Sequence, residues 1–174
     1  RAGGVLYSDY SLGRFFAEAA RQPWFENTIF LVTADHCASS AGRTEIPLQK
    51  YHIPALILAP GLIEPGVVDG IVSQIDLMPT LLSLLNMSYD SHFYGRSIFD
   101  PAYVNRAFIA TYQDLGYLEG DTFTILSPVR RFEQYRVVPT EENPHHLETM
   151  ERKDAMQVDR AIGYYQTSCK WNKR

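Results

Sequence analysis

Two short apolar runs, Thr28-Ile-Phe-Leu-Val-Thr33 and Ile53-Pro-Ala-Leu-Ile-Leu-Ala59, constrain this chain more than any other feature. Neither alternates apolar with polar residues, and the first is rich in β-branched side chains. That pattern predicts strands covered on both faces, as in a parallel sheet flanked by helices. The surroundings agree. Leu12, Phe15, Phe16 and Ala19 recur at helical spacing and predict a helix over 7–21, ended by Pro23. Ile75, Met78, Leu81, Leu82 and Leu85 form a second apolar stripe. Ser73 and Asp76 are its candidate N-caps, and Asp76 is favoured because Pro79 then falls three residues in, where a missing N–H breaks no intrahelical bond. The polar, turn-rich stretch 37–50 is expected to be a long loop. Helix, strand, loop, strand, helix is the order of a parallel α/β sheet.

After residue 100 the pattern changes. Segments 107–112, 122–126 and 132–138 are short and β-rich, broken by Gly116, Gly120 and Pro128, and predict a small antiparallel meander. A last helix is expected over 144–168, burying Leu147, Met150, Val158, Ala161, Ile162 and Tyr165. The reading is therefore an α/β half-domain over 1–100, with a meander and helix over 101–174 packing on the same domain. At 174 residues and 45% hydrophobic content the chain can build a sizeable core. A formal charge of -4 with scattered basic residues argues against a nucleic-acid partner. Cys37 and Cys169 are too few and too far apart to make a disulfide framework. No apolar run approaches the roughly 20 residues of a membrane helix, so these residues are expected to be soluble. The start, Arg1 to Gly4, runs at once into a helical pattern and reads as a cut inside a larger protein.

Ligands in open parallel sheets bind beyond the carboxyl ends of the strands. Asp35-His36 falls there. A carboxylate beside an imidazole suits a divalent cation, and adjacent side chains can share one ion only where a strand ends and the backbone turns. As a bare dipeptide, the pair is explained more simply by Asp35 capping a turn beside a polar loop His36. Cys37 is read as a small turn residue rather than a reactive thiol, Gly95-Arg96 as a structural turn, and His145-His146 as inert.

Five segments in fixed order add to this: Leu31-Val-Thr-Ala-Asp-His36, Ala41-Gly-Arg-Thr-Glu45, Tyr51-His-Ile-Pro-Ala-Leu-Ile57, Ser73-Gln-Ile-Asp-Leu-Met-Pro-Thr-Leu-Leu82 and Tyr94-Gly-Arg-Ser-Ile-Phe99. Together, over about residues 1–100, they resemble the C-terminal portion of the sulfatases and of the lipoteichoic-acid-synthase-like phosphoglycerol transferases, within the alkaline phosphatase superfamily. The resemblance implies an α/β/α sandwich and a metal-bound Thr, Ser or formylglycine nucleophile that attacks a phosphate or sulfate ester. It implies that Asp35 and His36 are two ligands of a divalent metal (Mn, Zn, Mg or Ca). The nucleophile and the other acidic ligand belong to the N-terminal half of such a domain, so no catalytic nucleophile is assigned here.

Arg43 and His52 are the implied substrate-binding residues. Arg43 stands where related sulfatases carry a substrate-binding Lys, and a solvated loop arginine is the alternative. His52 either donates to the substrate anion or packs structurally with its nitrogens satisfied. Expected partners are the ester substrate, the missing half-domain and, through an exposed sheet edge, a second copy. The parent is expected at the inner or cytoplasmic membrane, with its catalytic domain facing the periplasm or exterior. The alternatives are an arylsulfatase-type hydrolase and a non-catalytic binding module of the same fold.

Overall fold

The computed structural model describes residues 2–37 and 46–171, which form two compact units. The first comprises Arg1–His36 and Ile53–Val68. Helix α1, Ala2–Ala19, precedes strand β1, Phe30–Thr33, which pairs with β2, Ala55–Leu58. Phe30 is the hub of this unit: Phe15 and Phe16 of α1 and Trp24 and Phe25 of the following turns all set their rings within 6.3 Å of it. Offset and edge-on aromatic packing of this kind holds the helix on one face of the strand pair.

Two expectations change here. β1 and β2 run antiparallel, with Phe30 opposite Leu58 and Thr33 opposite Ala55. A parallel return needs a crossover, usually a helix, whereas the described part of the connection holds only the 3-10 turn Leu48–Lys50. Unbroken apolar runs report burial and carry no strand direction. Nor are these strands covered on both faces, since β1 is half-buried up to an exposed Thr33 and β2 is exposed at Ala55 and Leu56. The chain is a mixed α/β fold, but this pair is not a parallel sheet.

The second unit comprises Cys37–His52 and Asp69–Arg174. Its sheet is an antiparallel meander as expected, but of five strands in sequential order rather than three segments, and Gly116, expected as a break, lies inside a strand: β3 Arg106–Ala110, β4 Leu115–Glu119, β5 Thr122–Ser127, β6 Arg131–Val137 and β7 Leu147–Thr149. On one face Ile109 and Phe123 are buried with Ile46 and Leu48, and Tyr51, Leu118, Ile125 and Tyr135 pack around them. The segment just before His52 is therefore part of this core. On the other face lies helix α3, Ala155–Trp171. Phe108 and Tyr117 meet Tyr164 there, and a buried polar set ties helix to sheet. The Gln134 amide donates to Thr124 Oγ1 at 2.9 Å and to the Asp154 carbonyl at 3.0 Å, and Gln157 donates to the Thr122 carbonyl at 3.0 Å. Thr124, Gln134 and Gln157 thus each have a partner, as burial requires.

The helix expected over 144–168 is shorter than expected, and a three-residue strand and loops take the place of its first eleven residues. Leu147 pairs with Val137 in β7 and joins the core by that route. The helix begins only at Ala155, after Asp154 accepts the Gln157 N–H at 3.1 Å as a cap. Val158 and Ala161 are buried as expected, while Ile162 is exposed.

Helix α2, Leu77–Leu84, buries the opposite face to the one expected. Asp76, Pro79 and Thr80 are buried, while Ile75, Met78 and Leu85 of the apolar stripe are exposed. The cause is Asp76. Its carboxylate makes no cap bond to α2 and instead takes Arg106 in a two-pronged ion pair, Nη1–Oδ2 at 2.9 Å and Nη2–Oδ1 at 3.1 Å. It also accepts the N–H groups of Ser73 and Arg96 and the hydroxyl of Tyr103. Both charged side chains are almost fully shielded, at 3% and 0% exposure. Gly95 is required beside this centre, because a Cβ there would lie 2.0 Å from the Ile75 carbonyl oxygen.

The geometry makes two predictions about stability. Arg106→Ala leaves the Asp76 carboxylate buried without its counter-charge, and chemical denaturation is expected to show a loss of about 3–5 kcal/mol; a loss under 1 kcal/mol contradicts this account. The second concerns alkaline pH. Burial pushes the Tyr165 hydroxyl up to about 12. Burial first, then the neighbouring Asp76 or Glu119, raises Tyr103 and Tyr117 further. The folded state therefore keeps protons that the unfolded chain releases from about pH 10. Stability is level below that pH and falls as pH climbs toward 12. Tyr165→Phe, which removes the donor to the Ile109 and Gly116 carbonyls, is expected to cost about 1 kcal/mol at neutral pH and to make the alkaline fall shallower.

Candidate active site

The local chain explains why Asp35 and His36 sit where they do. β1 stays zipped to its neighbour one residue beyond its end, through the Thr33 hydroxyl and the Ala34 N–H, both donating to the Pro54 carbonyl at 3.0 and 3.4 Å. Pro54 has no N–H to donate back, so the pairing stops. The backbone turns at Asp35, whose Oδ1 accepts the His36 N–H at 2.9 Å. That turn brings the two side chains to one side, with Asp35 Oδ2 3.4 Å from His36 Nε2 and both groups well exposed.

The donor set can be tested against a divalent ion. Donors about 2.0–2.2 Å from a tetrahedral metal stand roughly 3.4 Å from each other, so the observed spacing suits two ligands of one ion. A hard carboxylate oxygen with an imidazole nitrogen is a set that Zn and Mn accept. Among the described residues no group of three or more His, Cys, Asp or Glu side chains could hold a metal, so the described ligands supply at most half of a closed coordination shell.

His52 belongs to the second unit. Its backbone carbonyl accepts the Cys37 thiol at 3.2 Å, a structural bond for that cysteine. Leu48 anchors the segment in the core, and Tyr51 donates its hydroxyl to the Ala110 carbonyl at 3.4 Å. The His52 ring is exposed, and its Nδ1 lies 3.3 Å from His145 Nε2, with ring centroids 5.3 Å apart. His145, expected to be inert because adjacent residues of a helix do not share a face, is thus in contact with a histidine 93 residues away. Arg43, the other implied substrate-binding residue, lies outside the described residues. Arg96 donates its backbone N–H to Asp76, and residues 95–96 are irregular chain rather than the expected turn. No helix among the described residues is long and apolar enough to cross a membrane.

Comparison with known proteins gives three results. The family model described as Sulfatase matches residues 1–87. An arylsulfatase of Clostridium perfringens is 30% identical over 107 residues, spanning 56% of this chain and 22% of that protein. The crystal structure of a protein in the alkaline phosphatase superfamily from Vibrio parahaemolyticus matches with a TM-score of 0.85 at 32% identity, over 96% of this chain and 40% of that one. The present chain thus spans well under half the length of these relatives. The mixed α/β architecture described above is the fold found in that superfamily protein.

The spacing of Asp35 and His36 predicts weak, shared metal binding. Zn titration followed by NMR of the histidine rings is expected to shift His36 without reaching tight stoichiometric binding, and Asp35→Ala is expected to abolish the shift. Tight one-to-one binding that survives this substitution would contradict a half-shell of ligands.

Proposed function

This chain belongs to the sulfatase family, and from that premise we propose that it is part of a metal-dependent enzyme that transfers or hydrolyses phosphate esters of the phosphoglycerol type, or sulfate esters. The observation that carries the reading is the convergence of Asp35 Oδ2 and His36 Nε2 to 3.4 Å just past the end of β1. In this reading the two side chains are ligands of a divalent metal. Such an ion, when bound, stabilises negative charge on the transferred group and lowers the pKa of a nucleophile attached to it.

The chain's own residues do the holding. The Asp35 carboxylate fixes the turn through the His36 N–H and keeps its second oxygen toward the imidazole. His52 donates an N–H to an anionic oxygen of the ester, and Arg43 supplies a two-pronged cationic donor to the same group. The nucleophile and the remaining acidic ligand come from another part of the catalytic domain. That part is also the proposed partner for the apolar side chains left open here, Val5, Leu6 and Tyr10 on α1 and Ile75 and Met78 by α2. Without it, such surface favours self-association. The parent is proposed to sit at the membrane with this domain facing outward.

The arylsulfatase relative favours a sulfate ester as a second reading, while the Asp-His-Cys-Ala-Ser-Ser and Tyr-His-Ile-Pro segments favour the phosphoglycerol transferases. Assays separate them. In the full-length parent, Asp35→Ala and His36→Ala are each expected to lower turnover by on the order of 10³-fold, corresponding to several kcal/mol of lost charge stabilisation. Comparing aryl sulfate with phosphoglycerol substrates in the same parent identifies the ester. The present chain alone is expected to turn over none of them. Turnover by it that disappears in Asp35→Ala overturns the proposal that the nucleophile lies elsewhere, and a parent indifferent to both substitutions overturns the metal-ligand roles.

A further inference from the structure

Building on the reading that His52 donates to an anionic oxygen of the substrate, we propose that His145 is a positioning residue that sets the tautomer and orientation of the His52 ring. The observation is the 3.3 Å approach of His145 Nε2 to His52 Nδ1, made by two residues on different connecting segments of the same unit.

A neutral imidazole carries one N–H and one lone pair, so a contact between two ring nitrogens needs one to donate and the other to accept. If His52 Nδ1 donated, its Nε2 would bear a lone pair and repel an anionic oxygen. If His145 Nε2 donates, His52 keeps its proton on Nε2, and that nitrogen is the donor an ester oxyanion requires. The same logic governs metal-bound histidines, where the partner of one ring nitrogen decides what the other can do. An exposed imidazole without such a partner would divide itself between tautomers and rotamers.

Both rings are held through their backbones. The Asn143 side-chain oxygen accepts the His145 N–H at 2.9 Å, and the Thr140 hydroxyl accepts the Asn143 N–H at 3.0 Å. The Val138 N–H donates to the His146 carbonyl at 2.9 Å, continuing the tie to the end of β6. On the other side, the Leu48–Lys50 turn closes with the Tyr51 N–H on the Leu48 carbonyl at 2.9 Å, and Leu48 is buried in the core. The histidine pair therefore rests on two tied turns of one sheet unit.

The test is ¹⁵N NMR of the histidine rings in this chain, with inorganic phosphate as the anion probe. Wild type is expected to show His52 protonated on Nε2, and phosphate is expected to shift that signal. His145→Ala should mix the His52 tautomers and weaken phosphate binding by about tenfold, the scale of one charge-assisted hydrogen bond. His145→Gln, which keeps an N–H donor, should restore much of both, and His146→Gln should change neither. An unaltered His52 tautomer in a folded His145→Ala variant overturns the positioning role and leaves the reading of His52 standing. A His52 ring that phosphate does not perturb in the wild-type chain overturns that reading, and the positioning role falls with it.

Discussion

The buried contact between Asp76 and Arg106 governs the second unit. Taking two charges out of water is costly unless their mutual attraction and additional hydrogen bonds compensate, and here every direction is filled. The two prongs of Arg106, the N–H groups of Ser73 and Arg96 and the Tyr103 hydroxyl converge on one carboxylate. The guanidinium lies 5.3 Å from the Phe108 ring centroid and 5.8 Å from that of Tyr164, so the cation also has aromatic faces beside it. Burial alone would lower the Arg106 pKa, but the bonds and charge of Asp76 outweigh it and raise it. One ion pair thereby joins the start of α2, the segment at 95–96, the first strand of the meander and helix α3.

This anchoring has a consequence for the helix next to it. With Asp76 and Thr80 turned inward, the hydroxyl of Thr80 is free to accept the Ile98 N–H at 3.1 Å, and residues 95–98 run along α2. Ile75, Met78 and Leu85 of the apolar stripe are left facing outward, while Leu81 and Leu82 are half-buried.

The residues of the candidate site obey a simpler rule. Asp35 and His36 follow directly on a strand whose pairing ends at a proline, and that ending lets two neighbouring side chains point the same way, which a continuing strand forbids. Their place past β1 was legible because strand, turn and Asp-His pair are contiguous in sequence. The link from His52 to His145 was not legible, since it depends on how two connections of the meander unit are folded against the same sheet. Likewise β7 was hidden inside an expected helix: Leu147-Glu-Thr149 is too short to show a strand period, and only pairing with β6 defines it.

Local pattern by itself determined the family segments, the existence of α1, β1, β2 and α3 and the antiparallel character of the region after residue 100, because helix and strand periods and turn residues act over a few positions. Tertiary structure alone decided the antiparallel sense of β1 and β2, the inward turning of Asp76 and the pairing of His52 with His145. Strand direction, the neutralisation of a buried charge and contact across 93 residues are each set by a partner distant in sequence, and no local period records who that partner is.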